Sequence, residues 1–246
     1  MEHLEGRQSV LAALKAGQRR FQEILIGHGS HEEKFEEVLE LAAQRGVTVR
    51  RVDRRQLDSM AHGTTHGGMV AVCSPKQRLD GVGLLELVNS LAEPPLLLLL
   101  EGVDDARNLG FTLRTAEAMG AHAVLIKKHL WDFDAVEVAR PASGAYERLP
   151  LAQIEDVAPL EQLRRQGLAL YGCIAAAKRT MYEVDLIGGA ILAIGGEKRG
   201  LSGAVRDICD QFITIPTVGG AASLSLSHAA AILMAEARRQ RGKGEG

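Results

Sequence analysis

The chain has 246 residues, 46% hydrophobic, 24% charged and 4% aromatic, with a formal net charge of -2. That composition belongs to an ordinary folded protein and excludes fibrous, disordered and membrane-spanning classes. Without a net positive charge, any nucleic-acid role has to rest on local patches rather than on the field of the whole molecule.

The first 75 residues alternate between the two hydrophobic periods. They predict a helix over 9–16, a strand over 23–26, a helix over 32–45, and strands over 47–52 and 68–72. The second helix carries Phe35, Val38, Leu39, Leu41 and Ala42 on one side and Glu32, Glu33, Glu36, Glu37 and Glu40 largely on the other, so it is expected to lie on a sheet. Gly46 stands where such a helix stops. Arg50, Arg51, Arg54 and Arg55 form one basic cluster, and Arg238, Arg239, Arg241 and Lys243 form another at the far end; each reads equally as a nucleic-acid contact or a solvated face. His62 and His66 are four apart in a Gly/Thr loop without the acidic or thiol neighbours of a zinc site, and no metal is expected.

From Ser74 to Pro95 the pattern is punctuated by Pro75, Gly81, Gly83 and the pair Pro94-Pro95 around a short helical stretch, 84–91; residues 76–95 read as a linker. Apolar runs follow at 96–100, 123–126, 168–173, 191–194 and 212–215, separated by helical segments at the spacing of a parallel sheet. The run at 96–100 is far shorter than the roughly 20 residues a bilayer crossing needs. The expected class is α/β, with a small domain over 1–75 and a larger one over 96–246. The tail after Arg241 reads as disordered, and Cys73, Cys173 and Cys209 read as buried thiols. The opening residues lack a leader pattern, which makes a cytoplasmic location the expectation.

In open parallel sheets ligands bind beyond the carboxyl ends of the strands, and three loops there carry polar and glycine residues that a core does not need. After 96–100 come Asn108, which could cap the next helix, and Arg114, set among Leu109, Phe111, Leu113 and Ala116. A guanidinium beside an apolar helix surface needs an anion, whether a ligand or a structural carboxylate. After 191–194 come Gly195, Gly196 and Glu197, a turn that lets backbone approach a ligand or is simply tight. It lacks the dinucleotide-binding spacing. After 212–215 come Ser223, Ser225 and Ser227, all possible caps of an alanine-rich helix over 226–239.

In that order, these loops resemble the three motifs of the SpoU, or TrmH-type, family of RNA ribose 2'-O-methyltransferases within the SPOUT superfamily. NLGFTLR from Asn108 to Arg114 is similar to the first motif, IGGEKRGL from Ile194 to Leu201 to the second, and the stretch from Ile215 through SLSLS (223–227) to Arg241 to the third. Ala142, Ser143, Gly144 and Ala145, with Glu147 and Pro150, resemble a further family segment. Residues 5–10 and 66–71 resemble the two ends of the family's N-terminal substrate-binding domain.

The resemblance implies a fold and an activity that periodicity does not reach. Its catalytic domain is a parallel α/β sheet ending in a trefoil knot that holds S-adenosylmethionine. The smaller domain resembles ribosomal proteins L30e and L7Ae, and the enzymes are homodimers. The implied reaction moves a methyl group to a ribose 2'-hydroxyl of structured RNA. The two-domain layout favours 23S rRNA as substrate; a tRNA substrate, or a catalytically impaired RNA-binding homologue, are the alternatives. Carried over, Arg114 contacts the ribose or its phosphate and helps deprotonate the hydroxyl, Asn108 holds that arginine or the substrate, Glu197 orients Arg114 or nearby backbone, Ser223 adds a hydrogen bond, and Gly195, Gly196, Ile215 and Leu224 receive the cofactor. Ser225 stands where the family usually has Asn, which shortens the side chain and removes a donor. His228 stands where small apolar residues are more usual.

Overall fold

The computed structural model describes residues 1–29, 32–127, 133–218 and 224–242. The first elements are β1 (Glu2–Glu5), α1 (Arg7–Ala16), β2 (Phe21–Gly27), α2 (Glu36–Gln44), β3 (Val49–Val52), α3 (Arg54–Met60) and β4 (Met69–Cys73). There follow α4 (Gly81–Ser90), β5 (Leu96–Glu101), α5 (Ala106–Ala118), β6 (Ala123–Lys127), α6 (Ala135–Ala142), α7 (Ala145–Arg148) and β7 (Leu151–Ile154). The chain ends with α8 (Ala158–Arg165), β8 (Ala169–Cys173), β9 (Arg179–Thr180), β10 (Ala190–Gly195), α9 (Gly203–Ile208), β11 (Gln211–Thr214) and α10 (Leu226–Arg241). Two compact units result. One joins Met1–Gln77 to Phe133–Arg148; the other joins Arg78–Asp132 to Leu149–Gly246.

The first unit holds a four-stranded sheet in the order β1-β4-β2-β3, with β2 and β3 parallel and the other pairs antiparallel. Side chains alternate across its faces, as the pleat requires. Ile24, Ile26, Met69 and Ala71 meet Val10 and Leu14 of α1 and Val38 and Ala42 of α2. Leu25 and Val70 on the reverse face meet Leu57 of α3. Helix α2 starts at Glu36 rather than Glu32: residues 32–34 form a 3-10 turn, and Phe35 is buried outside helical geometry at φ -118. The expected stop is present, since Gly46 has φ 65 and its N–H bonds to the Ala43 carbonyl.

The segment 133–148 lies between two strands of the larger sheet in sequence but packs in the first unit, where α6 runs against β1 and α7 against α1. Gly144 permits the close approach: a Cβ there would sit 2.9 Å from the Ala12 Cβ, and its φ of +88 is left-handed. This departs from an uninterrupted domain over 96–246, because the packing depends on partners far away in sequence.

The second unit is a seven-stranded parallel sheet in the order β7-β6-β5-β10-β8-β11-β9. Leu96 to Leu100 are each fully buried, as a central strand covered on both faces demands. The stretch 76–95, read as a linker, contains α4. Asp80 caps this helix by accepting from the Gly83 N–H at 2.8 Å, and Leu84 and Val88 share a core with Leu160 and Leu163 of α8.

Basic residues divide in the same way between scaffold and surface. Arg241 donates to the carbonyls of Leu186, Pro94, Pro95 and Gly188, Arg239 pairs with Glu236, and Arg50 pairs with Glu23. Arg54 and Arg55 are exposed with no charged partner among the described residues; Lys243 lies outside them. Burial pushes the Cys73 and Cys209 thiols up to about 11, and Cys173 higher still. His62 bonds to Glu5 and His66 to Asp58. Among the described residues no helix is long and apolar enough to cross a membrane.

Candidate functional site

At the carboxyl edge of the parallel sheet, β5 and β10 end side by side, with Gly195 in register with Glu101. The backbone beyond them is packed too closely for side chains. A Cβ on Gly196 would lie 2.3 Å from the Gly102 carbonyl oxygen, and one on Gly195 would lie 2.1 Å from the Gly200 carbonyl carbon. Gly102 itself has φ +80. The paired glycines thus allow two strand-end loops to touch.

A buried polar group anchors this turn, and sequence reasoning missed it. The Glu101 carboxylate accepts from the Ser202 N–H at 2.8 Å and from its hydroxyl at 2.9 Å, and it pairs with Lys127, which donates to the Ser202 hydroxyl at 3.0 Å. Glu101 and Lys127 are buried although charged. The available signal was a carboxylate closing a run of five leucines, a position where a core alone gains nothing from charge. Ser202 also caps α9, so one side chain fixes both the turn and the helix that follows.

Beside the turn is a cavity of about 440 Å³. Gly195, Gly196, Glu197, Ile215 and Leu224, all singled out from the sequence, line it. Ile174, Ile194, Leu201 and Ile213 make its walls apolar, and Leu226, Ala229 and Leu233 of α10 close one side. Its size and character suit a small organic ligand held by backbone groups and apolar contacts.

Asn108 and Arg114 lie on α5, and Ser225 caps α10, which packs against it. Asp105, not Asn108, caps α5, accepting from the N–H groups of Arg107 and Asn108 at 2.7 and 3.0 Å. The Asn108 side chain reaches across to α10 instead, where its Oδ1 accepts from the Ser227 hydroxyl at 3.3 Å. Ser225 caps α10 and lies 2.5 Å from His228 Nδ1. Arg114 is exposed, without a hydrogen bond or ion pair among the described residues; the buried face of α5 is formed by Leu109, Thr112, Leu113 and Ala116. Glu197 is likewise exposed and unpaired among the described residues, so the two do not meet within this chain. Ser223 lies outside the described residues.

Residues 95–235 match the model of the SpoU rRNA Methylase family, and residues 3–79 match that of RNA 2'-O ribose methyltransferase substrate binding. The chain belongs to the SpoU rRNA methylase family. Among its relatives is the 23S rRNA (guanosine-2'-O-)-methyltransferase RlmB of Pseudomonas putida, 36% identical over 98% of this chain and 97% of that one. The protein of the same name from Escherichia coli is 32% identical over 98% of this chain and 99% of its own length. The fold is also that of the SpoU methyltransferase AviRb from Streptomyces viridochromogenes, solved in complex with the cofactor AdoMet. That comparison gives a TM-score of 0.82 at 24% identity, covering 98% of this chain and 91% of AviRb. Within this SpoU methylase, the cavity is built from the second and third motifs, and Ser227 ties the first motif to the third.

Proposed function

We propose that this SpoU methylase transfers a methyl group from S-adenosylmethionine to the 2'-hydroxyl of a guanosine ribose in 23S rRNA. The observation that carries the reading is the joining of all three motifs at one sheet edge, with the glycine turn and the start of α10 lining a common cavity and Asn108 bonded to Ser227. Relatives matched over nearly their full length support the substrate.

The cavity fits the cofactor on its own terms. Gly195 and Gly196 offer backbone without side chains, and Ile215 and Leu224 offer apolar surface for an adenine ring. When bound, S-adenosylmethionine supplies an electrophilic methyl group on a sulfonium. The protein's part is to bind and align the ribose and to stabilise the charge that develops on its oxygen. Arg114, exposed and without a carboxylate partner among the described residues, is available to hold the ribose or its phosphate. Asn108 positions that contact, Glu197, which does not meet Arg114 within this chain, orients nearby backbone, and Ser223 adds a hydrogen bond. Ser225 keeps a donor and an acceptor at the start of α10.

The same reading includes a C-terminal trefoil knot in the larger unit, an L30e- and L7Ae-like fold in the smaller one that recognises RNA, a homodimer, and a cytoplasmic location. The exposed Arg54 and Arg55 support an RNA-facing surface on the smaller unit.

Mapping 2'-O-methyl groups in RNA from cells with and without the gene tests the assignment. One guanosine of 23S rRNA is expected to lose its methyl group, and identical maps would refute it. In vitro, Arg114→Ala is expected to lower transfer by about a hundredfold or more while S-adenosylmethionine still binds. Undiminished transfer counts against a catalytic Arg114.

A further inference from the structure

Of the described residues that line the cavity, only two are charged: Glu197 on the glycine turn and Arg206 on α9. Lys198 of the same turn pairs with Asp104 at 3.5 Å, which leaves Arg206 as the cation of the lining. It is exposed, and its side chain makes no hydrogen bond or ion pair among the described residues. What holds it is an aromatic ring, since the guanidinium carbon lies 5.2 Å from the centroid of Phe212. The helix beneath it is fixed from the cavity side. The Arg206 backbone N–H bonds to the Ser202 carbonyl at 2.9 Å, and Ser202 is the residue that the buried Glu101 carboxylate grips.

A ring against one face of a guanidinium leaves the N–H donors at its edge unused. Those donors form a rigid planar fork that matches a two-oxygen anion, and the match is closest for a carboxylate. S-Adenosylmethionine carries one carboxylate, at its methionyl end. Its sulfonium and its amine are cationic, and its adenine and ribose are neutral, so none of these would be drawn to a guanidinium.

We propose that Arg206 binds the carboxylate of S-adenosylmethionine, with Phe212 as the positioning residue that holds the guanidinium at the cavity. The inference rests on reading this cavity as the cofactor site. The carboxylate takes no part in methyl transfer and is kept in the product, S-adenosylhomocysteine, so Arg206 holds both molecules alike. Its work is recognition: it separates the complete cofactor from nucleosides that share only the adenine and ribose.

Calorimetric titration of the full-length protein with S-adenosylhomocysteine, and with its carboxamide in which a neutral amide replaces the carboxylate, reads this contact without turnover. Wild type is expected to bind the acid about tenfold or more tightly than the carboxamide. Arg206→Gln is expected to bind the two equally, with the carboxamide held as tightly as by wild type. Phe212→Leu should lose a smaller part of the preference, about two- to fivefold. A wild type without preference, or Arg206→Gln that keeps it, would overturn the assignment. So would an Arg206→Gln protein in which both ligands weaken alike, the mark of a merely structural residue. If Arg206→Gln keeps the preference but loses affinity for 23S rRNA, the guanidinium serves an RNA phosphate and the assignment falls. A preference unchanged in Phe212→Leu removes the positioning role of the ring. Wild-type protein that binds neither ligand nor S-adenosylmethionine overturns the cofactor reading of the cavity itself, and this inference with it.

Discussion

In the first unit a guanidinium lies inside the fold, whereas in the second a buried carboxylate and ammonium, Glu101 and Lys127, stand where strands end. The Arg19 side chain is fully buried and grips both Glu147 carboxylate oxygens at 2.7 and 2.8 Å, with Glu2 and the Ser74 carbonyl as further acceptors. Lys76 donates to the Glu147 carbonyl at 3.0 Å, and Arg140 pairs with buried Glu5. The core of the second unit is apolar through β5; of its buried charges, Glu101 and Lys127 lie at the carboxyl ends of β5 and β6, and Glu236 is held on α10 by Arg239 and Gln240. A buried ion pair contributes little net stability but tolerates few geometries. Around Arg19 it sets how the segment 133–148 seats against α1; around Glu101 it sets the turn that lines the cavity.

The largest test of that contrast is Glu147→Ala. Leaving Arg19 buried without its bidentate partner is expected to cost about 3–5 kcal/mol in denaturant unfolding. A loss below about 1 kcal/mol would mean that apolar contacts alone seat the segment.

Gly196→Ala comes next, at the functional edge of the other unit. Its methyl would meet the Gly102 carbonyl, so about 1–3 kcal/mol of overpacking is expected together with loss of S-adenosylmethionine binding in a calorimetric titration. Normal cofactor affinity in this variant would show that the close approach of the two loops does not shape the site.

The smallest effect is a pH dependence confined to the first unit. Burial raises the Glu5 carboxyl, but hydrogen bonds from His62 and Arg140 outweigh it and hold its pKa below the ordinary value. That contribution is present above the ordinary carboxylate range and is lost as pH falls through the lowered pKa. The bond to Glu5 raises the half-exposed His62 above the ordinary imidazole range, so its contribution is full below that range and is lost as pH rises through the raised pKa. The two overlap at mildly acidic pH. Glu5→Gln should flatten both limbs in melts recorded across pH, and an unaltered profile would show that this pair does not set the pH dependence.

Elements carried by local pattern were readable in advance. The apolar runs of β5, β6, β8 and β10 and the helices α5 and α10 follow from burial repeating at a fixed period. β1 and β7, four residues each, and the two-residue β9 escaped notice because no period can be established over so few positions. The glycine turn was visible as a motif, but the reason for two glycines, a carbonyl of another loop at contact distance, was not. Asn108 read as a cap until Asp105 proved to hold that place, and Arg241 read as part of a basic patch until four carbonyls proved to surround it.

Taken alone, the amino-acid order determined the α/β class, the strands of the larger sheet and the three loops that hold the candidate residues, because hydrophobic burial writes its period along neighbouring positions. Only the tertiary structure decided which polar groups meet. Arg19 and Glu147 are 128 residues apart, Asn108 and Ser227 are 119 apart, and Glu101 and Ser202 are 101 apart. A hydrogen bond needs a matching atom within about 3 Å, and chain spacing carries no record of that distance once the backbone has crossed a sheet.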